Sequence, residues 1–310
     1  MNDIAWHTTV SMGILMAMGF TLRKMNWVSD HFTDEFSRML YYSIIPCTIL
    51  NSTMNMEFSA EQVKNGGIML ALSVLFIVAM VAIGQVLYLM QGKGRRGCLM
   101  RFSMFYTNFT IMGLSLAQLL FGAEGLFYFS LLLVPLRVYS YSTADWMLNG
   151  KARKKGEPYN WKGLFSPLLV YTIAGMVIYL VRLPVPGVVR DTIATASSSM
   201  TTCGMILCGL LLARARIGDQ LRSAQLYIFL ACKLFLSPLL MMALLWLLGV
   251  HGLPAHLCVM LSSLPVAAAV GTFAVKNNCA PEYAAVYIAT STVGSVFTIP
   301  LMIQLATMVL

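Results

Sequence analysis

The chain has 310 residues, of which 58% are hydrophobic and 11% are charged, and its formal net charge is +9. An ordinary soluble domain carries about a quarter charged residues, so this composition cannot cover a water-exposed surface. At roughly 20 apolar residues per membrane span, the length allows about ten spans with short loops. The composition therefore excludes a soluble domain and predicts an all-α integral membrane protein with ten transmembrane helices.

Ten apolar segments follow one another along the chain, separated by charged or glycine- and proline-containing stretches. They are residues 4–22, 36–53, 68–90, 99–121, 126–148, 164–181, 188–213, 223–250, 254–274 and 283–310. We predict a first five-helix repeat at 1–148, a hydrophilic cytoplasmic linker at 149–163 and a second five-helix repeat at 164–310. Because five is an odd number, the second repeat enters the membrane in the opposite orientation, as in transporters built from inverted repeats.

Lysines and arginines are concentrated in the odd-numbered loops, while the even-numbered loops hold only Lys64, Arg182 and Arg190. The positive-inside rule places the odd loops in the cytoplasm and both chain termini outside. We therefore expect a multi-pass protein of the cell (inner) membrane. Its basic loops attract the anionic headgroups of membrane lipid, and no soluble basic domain is present that would bind nucleic acid.

Residue types that form metal or catalytic centres are scattered along the chain. The seven cysteines include no C-x-x-C pair, and the four histidines lie singly near predicted helix ends. No serine, histidine and aspartate set and no pair of carboxylates indicates catalysis. We predict no metal site, no cofactor and no enzymatic activity, and coupling to protons or to sodium stays open.

The fourth and ninth segments each contain a polar stretch with glycine or proline, at residues 106–113 and 262–272. Unwound backbone at membrane depth is tolerated where it lines a cavity, and its freed N–H and C=O groups can hold a substrate. Simple structural kinks are the alternative, because glycine and proline are common in membrane helices. The predicted substrate-binding residues of these stretches are Thr107, Asn108, Gly113 and Pro265.

Two cations, Arg137 and Lys233, lie deep inside predicted spans, whereas the acidic residues fall in loops or near helix ends. Charged side chains inside a membrane need a partner, and none of the acids is available at the midplane. One interpretation is that Arg137 or Lys233 attracts an organic anion. The other, of equal weight, is that these cations are bound permanently to backbone carbonyls.

At these residues the chain resembles the auxin efflux carrier family, whose bacterial members are small ten-helix permeases. The resemblance extends over nearly the whole length. The motifs that carry it are Thr107 to Leu114, Phe121-Gly122, Leu264-Pro265, Phe273-Ala274, Asn278, Pro281-Glu282, Ser291, Ser295 and Pro300, with Pro46, Gly209 and Pro238. Three residues depart from the family pattern, in two ways. Thr107 and Ser115 replace prolines, which predicts a gentler first interruption, and Arg137 replaces an uncharged polar residue.

The resemblance implies that broken spans four and nine cross, that spans one, two, six and seven form a scaffold, and that spans three to five and eight to ten form a transport domain. It implies secondary active transport by an elevator type of alternating access, with organic anions as substrates. These are auxin in plants and dicarboxylates in some bacteria. A homodimer through the scaffold helices is a further expectation.

Two alternative functions remain open on the sequence. A sodium-coupled symporter of the bile-acid type shares the ten-helix crossover plan, and sodium-dependent uptake would indicate it. A membrane-embedded ligand sensor is also compatible with the pattern, and a flux measurement in proteoliposomes would distinguish it from a carrier.

Overall fold

The computed structural model describes residues 2–56, 59–92, 94–149, 167–214 and 219–310. Every regular element in these ranges is a helix, which confirms the predicted all-α class. The predicted linker at 149–163 lies outside the described residues except for its first position.

The helices of the first half begin at local sequence signals. Ser29 and Ser59 each accept, through the side-chain hydroxyl, a backbone N–H of the helix that follows, as N-cap residues do. A π-helical turn, Leu40–Ile44, joins the second helix to the third. The helices of this half are α1 (Asn2–Lys24), α2 (Asp30–Met39), α3 (Ile45–Met54), α4 (Ala60–Gln91), α5 (Arg95–Phe105) and α6 (Leu114–Asn149).

The second half contains shorter helical pieces. Pro254 and Pro281 stand in the first turn of their helices, where a missing N–H costs no hydrogen bond. A π-helical turn, Cys232–Leu236, again joins two helices. The helices are α7 (Pro167–Val181), α8 (Gly187–Ser198), α9 (Met200–Ala213), α10 (Ala224–Ala231), α11 (Ser237–Leu247), α12 (Leu253–Ser263), α13 (Ala269–Lys276) and α14 (Pro281–Val309).

Five helical stretches in the described part of the chain are long and apolar enough to cross a membrane. They are Glu61–Met90, Phe109–Ala144, Gly187–Ala213, Ala224–Leu247 and Pro281–Val309. Gly122 divides the second of them, because its backbone angles (φ 65°, ψ −156°) lie outside the helical region and favour glycine. Two shorter apolar helices, Leu169–Val181 and Leu253–Ser263, accompany them. The ten-span inverted arrangement stays a prediction.

One closely packed helix pair joins the two halves of the chain. α1 and α9 approach so tightly that a Cβ atom at Gly19 would overlap the backbone of Ile206, and one at Gly209 would overlap the carbonyl oxygen of Met16. Glycines on both sides allow this approach, as small residues do where membrane helices pack.

A network of ion pairs ties the ends of α1, α2 and α9 together. Asp30 pairs with Arg23 at 2.7 Å and with Arg214 at 2.8 Å, and Arg214 also pairs with Asp34 at 2.7 Å. The hydrogen bond from Arg23, together with the charges of both arginines, holds the pKa of Asp30 below its usual value. The three helix ends are therefore held at one side of the molecule.

Candidate functional site

The fourth and ninth predicted spans both leave the helical conformation. α5 ends at Phe105, and helical structure resumes with the π-helical turn Phe109–Gly113. α12 ends at Ser263, and α13 begins at Ala269. Tyr106, between the first two pieces, has backbone angles of φ −82° and ψ 83°, well outside the helix.

The two unwound segments pair with each other. The N–H of Asn108 donates to the carbonyl of Pro265 at 2.8 Å, and the N–H of Ala267 donates to the carbonyl of Tyr106 at 3.1 Å. These bonds form an isolated antiparallel bridge. One N–H and one carbonyl of each unwound segment are thus satisfied by the other segment, in keeping with the rule that buried polar groups are paired.

The first interruption is complete although Thr107 and Ser115 stand where the family resemblance leads us to expect prolines. We predicted a gentler break on this ground. Pairing with the second interrupted segment supplies partners that the local geometry lacks, so the backbone at Tyr106 and Asn108 leaves the helix without a proline.

A cavity of about 520 Å³ lies beside this crossing. Its lining includes the beginnings of both resumed helices, at residues 109–111 and 267–269. A helix N-terminus presents unpaired N–H groups and the positive end of the helix dipole, which favour an anion. The described lining residues are Asp34, Ser37, Arg38, Tyr41, Tyr106, Thr107, Asn108, Phe109, Thr110, Ile111, Arg137, Leu211, Arg214, Ala267, Ala268, Ala269 and Thr272.

Arg137 extends from α6 into the cavity lining and is only 5% exposed. Its Nη2 donates to the hydroxyl of Thr110 at 3.2 Å, and its guanidinium lies 5.4 Å from the ring centroid of Phe109. Both contacts lie in the first turn after the interruption. A cation is therefore held next to the positive end of a helix, an arrangement that an anion between them would stabilise.

Thr107 and Asn108 also line the cavity. Thr107 is 1% exposed, and its hydroxyl has no hydrogen-bond partner among the described residues. The side-chain amide of Asn108 lies 3.7 Å from the sulfur of Cys208 on α9. A buried hydroxyl without a partner is costly, so this group is suited to a ligand in the cavity.

Three other predicted site residues lie outside the cavity lining. Pro265 contributes its backbone carbonyl to the crossing. Gly113 is buried, and a Cβ atom there would lie under 3 Å from the side chains of Phe129 and Leu264. The ammonium group of Lys233 donates to a backbone carbonyl on α5 and does not reach the cavity lining.

Sequence reasoning missed the residues at the mouth of the cavity. Asp34 lies in the middle of α2, Arg38 near the end of α2 and Arg214 at the end of α9, and all three belong to the lining. In the sequence, Arg38 and Arg214 indicate only the orientation of the predicted spans. The spacing between Asp34 and Arg38, one helical turn apart, was a weak signal that both face the same side.

Comparison with known proteins identifies the family. No curated protein matches the sequence. A family model described as Membrane transport protein matches residues 148–303, which is half of the chain. The chain therefore belongs to this membrane transport protein family, the auxin efflux carrier family, and is a multi-pass membrane protein.

Proposed function

We propose that the protein is a secondary active transporter that carries a small organic anion, in the simplest case a carboxylate, bound in the cavity at the crossing. The observation that carries this proposal is the convergence of two helix N-termini and Arg137 on one cavity. The described lining has three arginines, Arg38, Arg137 and Arg214, against one acid, Asp34, which already pairs with Arg214.

Each predicted site residue has a distinct role in this proposal. The guanidinium of Arg137 and the N–H groups that begin the resumed helices hold the carboxylate, and the hydroxyl of Thr107 and the amide of Asn108 donate to it. Hydrogen bonds to charged groups contribute about 1.5–3 kcal/mol each. Pro265 and Gly113 shape the crossing without contacting the substrate.

The proposed movement follows from where the cavity lies. Its lining includes residues of α2 and α9, which belong to the proposed scaffold of spans one, two, six and seven. It also includes residues of the first unwound segment, α6 and α13, which belong to the proposed transport domain of spans three to five and eight to ten. A site at such an interface suits elevator-type alternating access between two inverted repeats.

The mouth of the cavity also agrees with the proposed orientation. Arg38 and Arg214 lie at the span ends that the positive-inside rule places in the cytoplasm. We therefore assign the conformation of the structure to an inward-open carrier of the cell (inner) membrane with both termini outside. The proposed scaffold helices, among them the α1 and α9 pair, leave faces free for lipid or for a second copy in a homodimer.

A thermal-shift screen of the purified protein tests the proposal. A ligand that binds the native state at 100 times its Kd stabilises it by about 2.7 kcal/mol. At roughly 2 °C per kcal/mol for a chain of this size, small carboxylates should raise the melting temperature by about 5 °C. The matching uncharged amides should not raise it.

Two variants with the same loss of charge provide the comparison. Arg137→Gln should lose the carboxylate-dependent shift, while Arg222→Gln, an exposed position outside the cavity lining, should keep it. No stabilisation by any carboxylate, or equal stabilisation by the amides, would count against an anion site. The screen is run once with sodium and once with choline as the cation. A carboxylate-dependent shift that requires sodium would indicate the sodium-coupled alternative.

A further inference from the structure

One helix contacts the carbonyl ends of both interrupted helices. Lys233 is completely buried, and its Nζ donates to the carbonyl of Met104 on α5 at 2.9 Å. Ser237, four residues further on, is also buried, and its hydroxyl lies 3.2 Å from the carbonyl oxygen of Ser262 on α12 and 2.9 Å from Sδ of Met80. The carbonyl is the stronger acceptor of the two, so we assign the hydroxyl proton to it. Residues four apart lie on one face of a helix, so this face faces both helix ends.

Both carbonyls have lost the N–H partner that a continuous helix would provide. In an unbroken helix Met104 would accept the N–H of Asn108, but that N–H donates to Pro265 across the crossing. In the same way Ser262 would accept the N–H of Val266, which donates instead to a side-chain hydroxyl. Lys233 and Ser237 therefore replace hydrogen bonds that the interruptions remove.

The electrostatics at this place are opposite to those of the cavity. The carbonyl end of a helix carries the equivalent of about half a negative charge, and here two such ends meet. In the described part of the chain no carboxylate forms an ion pair with Lys233. Broken membrane helices use such carbonyl ends to coordinate a monovalent cation.

We propose that Lys233 is a positioning residue whose ammonium group serves as a built-in monovalent cation at the carbonyl end of α5, and so holds Tyr106, Thr107 and Asn108 in place under the cavity. The π-helical turn Cys232–Leu236 brings the side chain to this position. The effect on substrate binding rests on the proposed function, whereas the effect on the backbone does not.

Hydrogen–deuterium exchange of the full chain in detergent measures the backbone effect. Lys233→Ala removes the ammonium and leaves space for a small amine, and Lys64→Ala, an exposed lysine on α4, is the control for loss of charge. We expect at least tenfold faster exchange at Tyr106 to Asn108 in Lys233→Ala when choline is the cation. Ammonium or sodium should reverse most of this increase, and neither should change Lys64→Ala.

Carboxylate binding provides the second readout. We expect Lys233→Ala to bind the carboxylate at least tenfold more weakly when choline is the cation, and ammonium to restore this affinity. The carboxylate affinity of the unmodified protein should differ less than twofold between choline and sodium. Unchanged exchange in Lys233→Ala, or a loss that no cation reverses, would overturn the proposal.

Two further outcomes keep the measurements decisive. If Lys233→Ala does not fold, it is replaced by Lys233→Met, which keeps the apolar length of the side chain. If Lys233→Met then exchanges hydrogen and binds the carboxylate as the unmodified protein does, the proposal is overturned. A tenfold sodium requirement for binding by the unmodified protein would overturn it too. If the unmodified protein binds no carboxylate, but hydrogen exchange in Lys233→Ala responds to cations as expected, the proposed function fails and the role of Lys233 stands.

Discussion

The second interruption depends on a buried hydroxyl. The N–H of Val266 donates to Oγ of Ser291 on α14 at 3.0 Å, and both residues are completely buried. Ser291→Ala leaves this N–H without a partner and out of reach of water. A buried donor left unsatisfied costs about 1–3 kcal/mol. Roughly 2 °C per kcal/mol then predicts a melting temperature about 2–6 °C lower.

A second serine on the same helix gives a matched control. Ser295 is equally buried, and its hydroxyl donates to the carbonyl of Thr292 at 2.8 Å, a contact within the helix. Among the described residues no backbone N–H donates to this hydroxyl. Thermal unfolding of Ser291→Ala and Ser295→Ala in the same detergent isolates the loss at Val266. If the two melting temperatures agree within about 1 °C, the argument that the hydroxyl holds the interruption is refuted.

Two other predictions concern the helices that frame the site. Gly209→Ala forces α1 and α9 apart and should lower the free energy of unfolding by about 1–3 kcal/mol. At Gly67 on α4 an added Cβ would have no atom within 4 Å, so Gly67→Ala should raise it by about 0.5–1 kcal/mol. Equal melting temperatures of the two variants would contradict the close packing of α1 and α9. Because Arg23 and Arg214 lower the pKa of Asp30, the ionised carboxylate stabilises the folded protein at neutral pH. This stabilisation is lost at acidic pH, where the carboxylate takes up a proton. Between about pH 5 and pH 3 the melting temperature should therefore fall less in Asp30→Asn than in the unmodified protein, and parallel curves would argue against the network.

Much of the helical architecture could be predicted because hydrophobic runs and their interruptions are local signals. The polar stretch around Asn108 and the proline at 265 marked both breaks, and the structure has a break at each. Arg137 and Thr107 were predicted as site residues from depth in the membrane and from position, and both line the cavity. Their role in binding stays a prediction.

The separate positions of the two deep cations could not be predicted. Depth alone gave Arg137 and Lys233 the same two interpretations, an anion site or a backbone partner. The structure places Lys233 on a backbone carbonyl and Arg137 in the cavity lining. These positions depend on the π-helical turn before Ser237 and on the pairing of two segments far apart in sequence. The same holds for Ser291, whose backbone partner is 25 residues away.

Flux in proteoliposomes shows whether the protein carries an anion through the site at the helix crossing. A labelled carboxylate that stabilises the purified protein should enter vesicles that contain it, faster when the same unlabelled carboxylate is inside, and empty vesicles should show no such uptake. Arg137→Gln should abolish this exchange and Arg222→Gln should retain it. Binding of the carboxylate without flux, or undiminished flux in Arg137→Gln, would contradict a carrier whose anion site lies at the helix crossing.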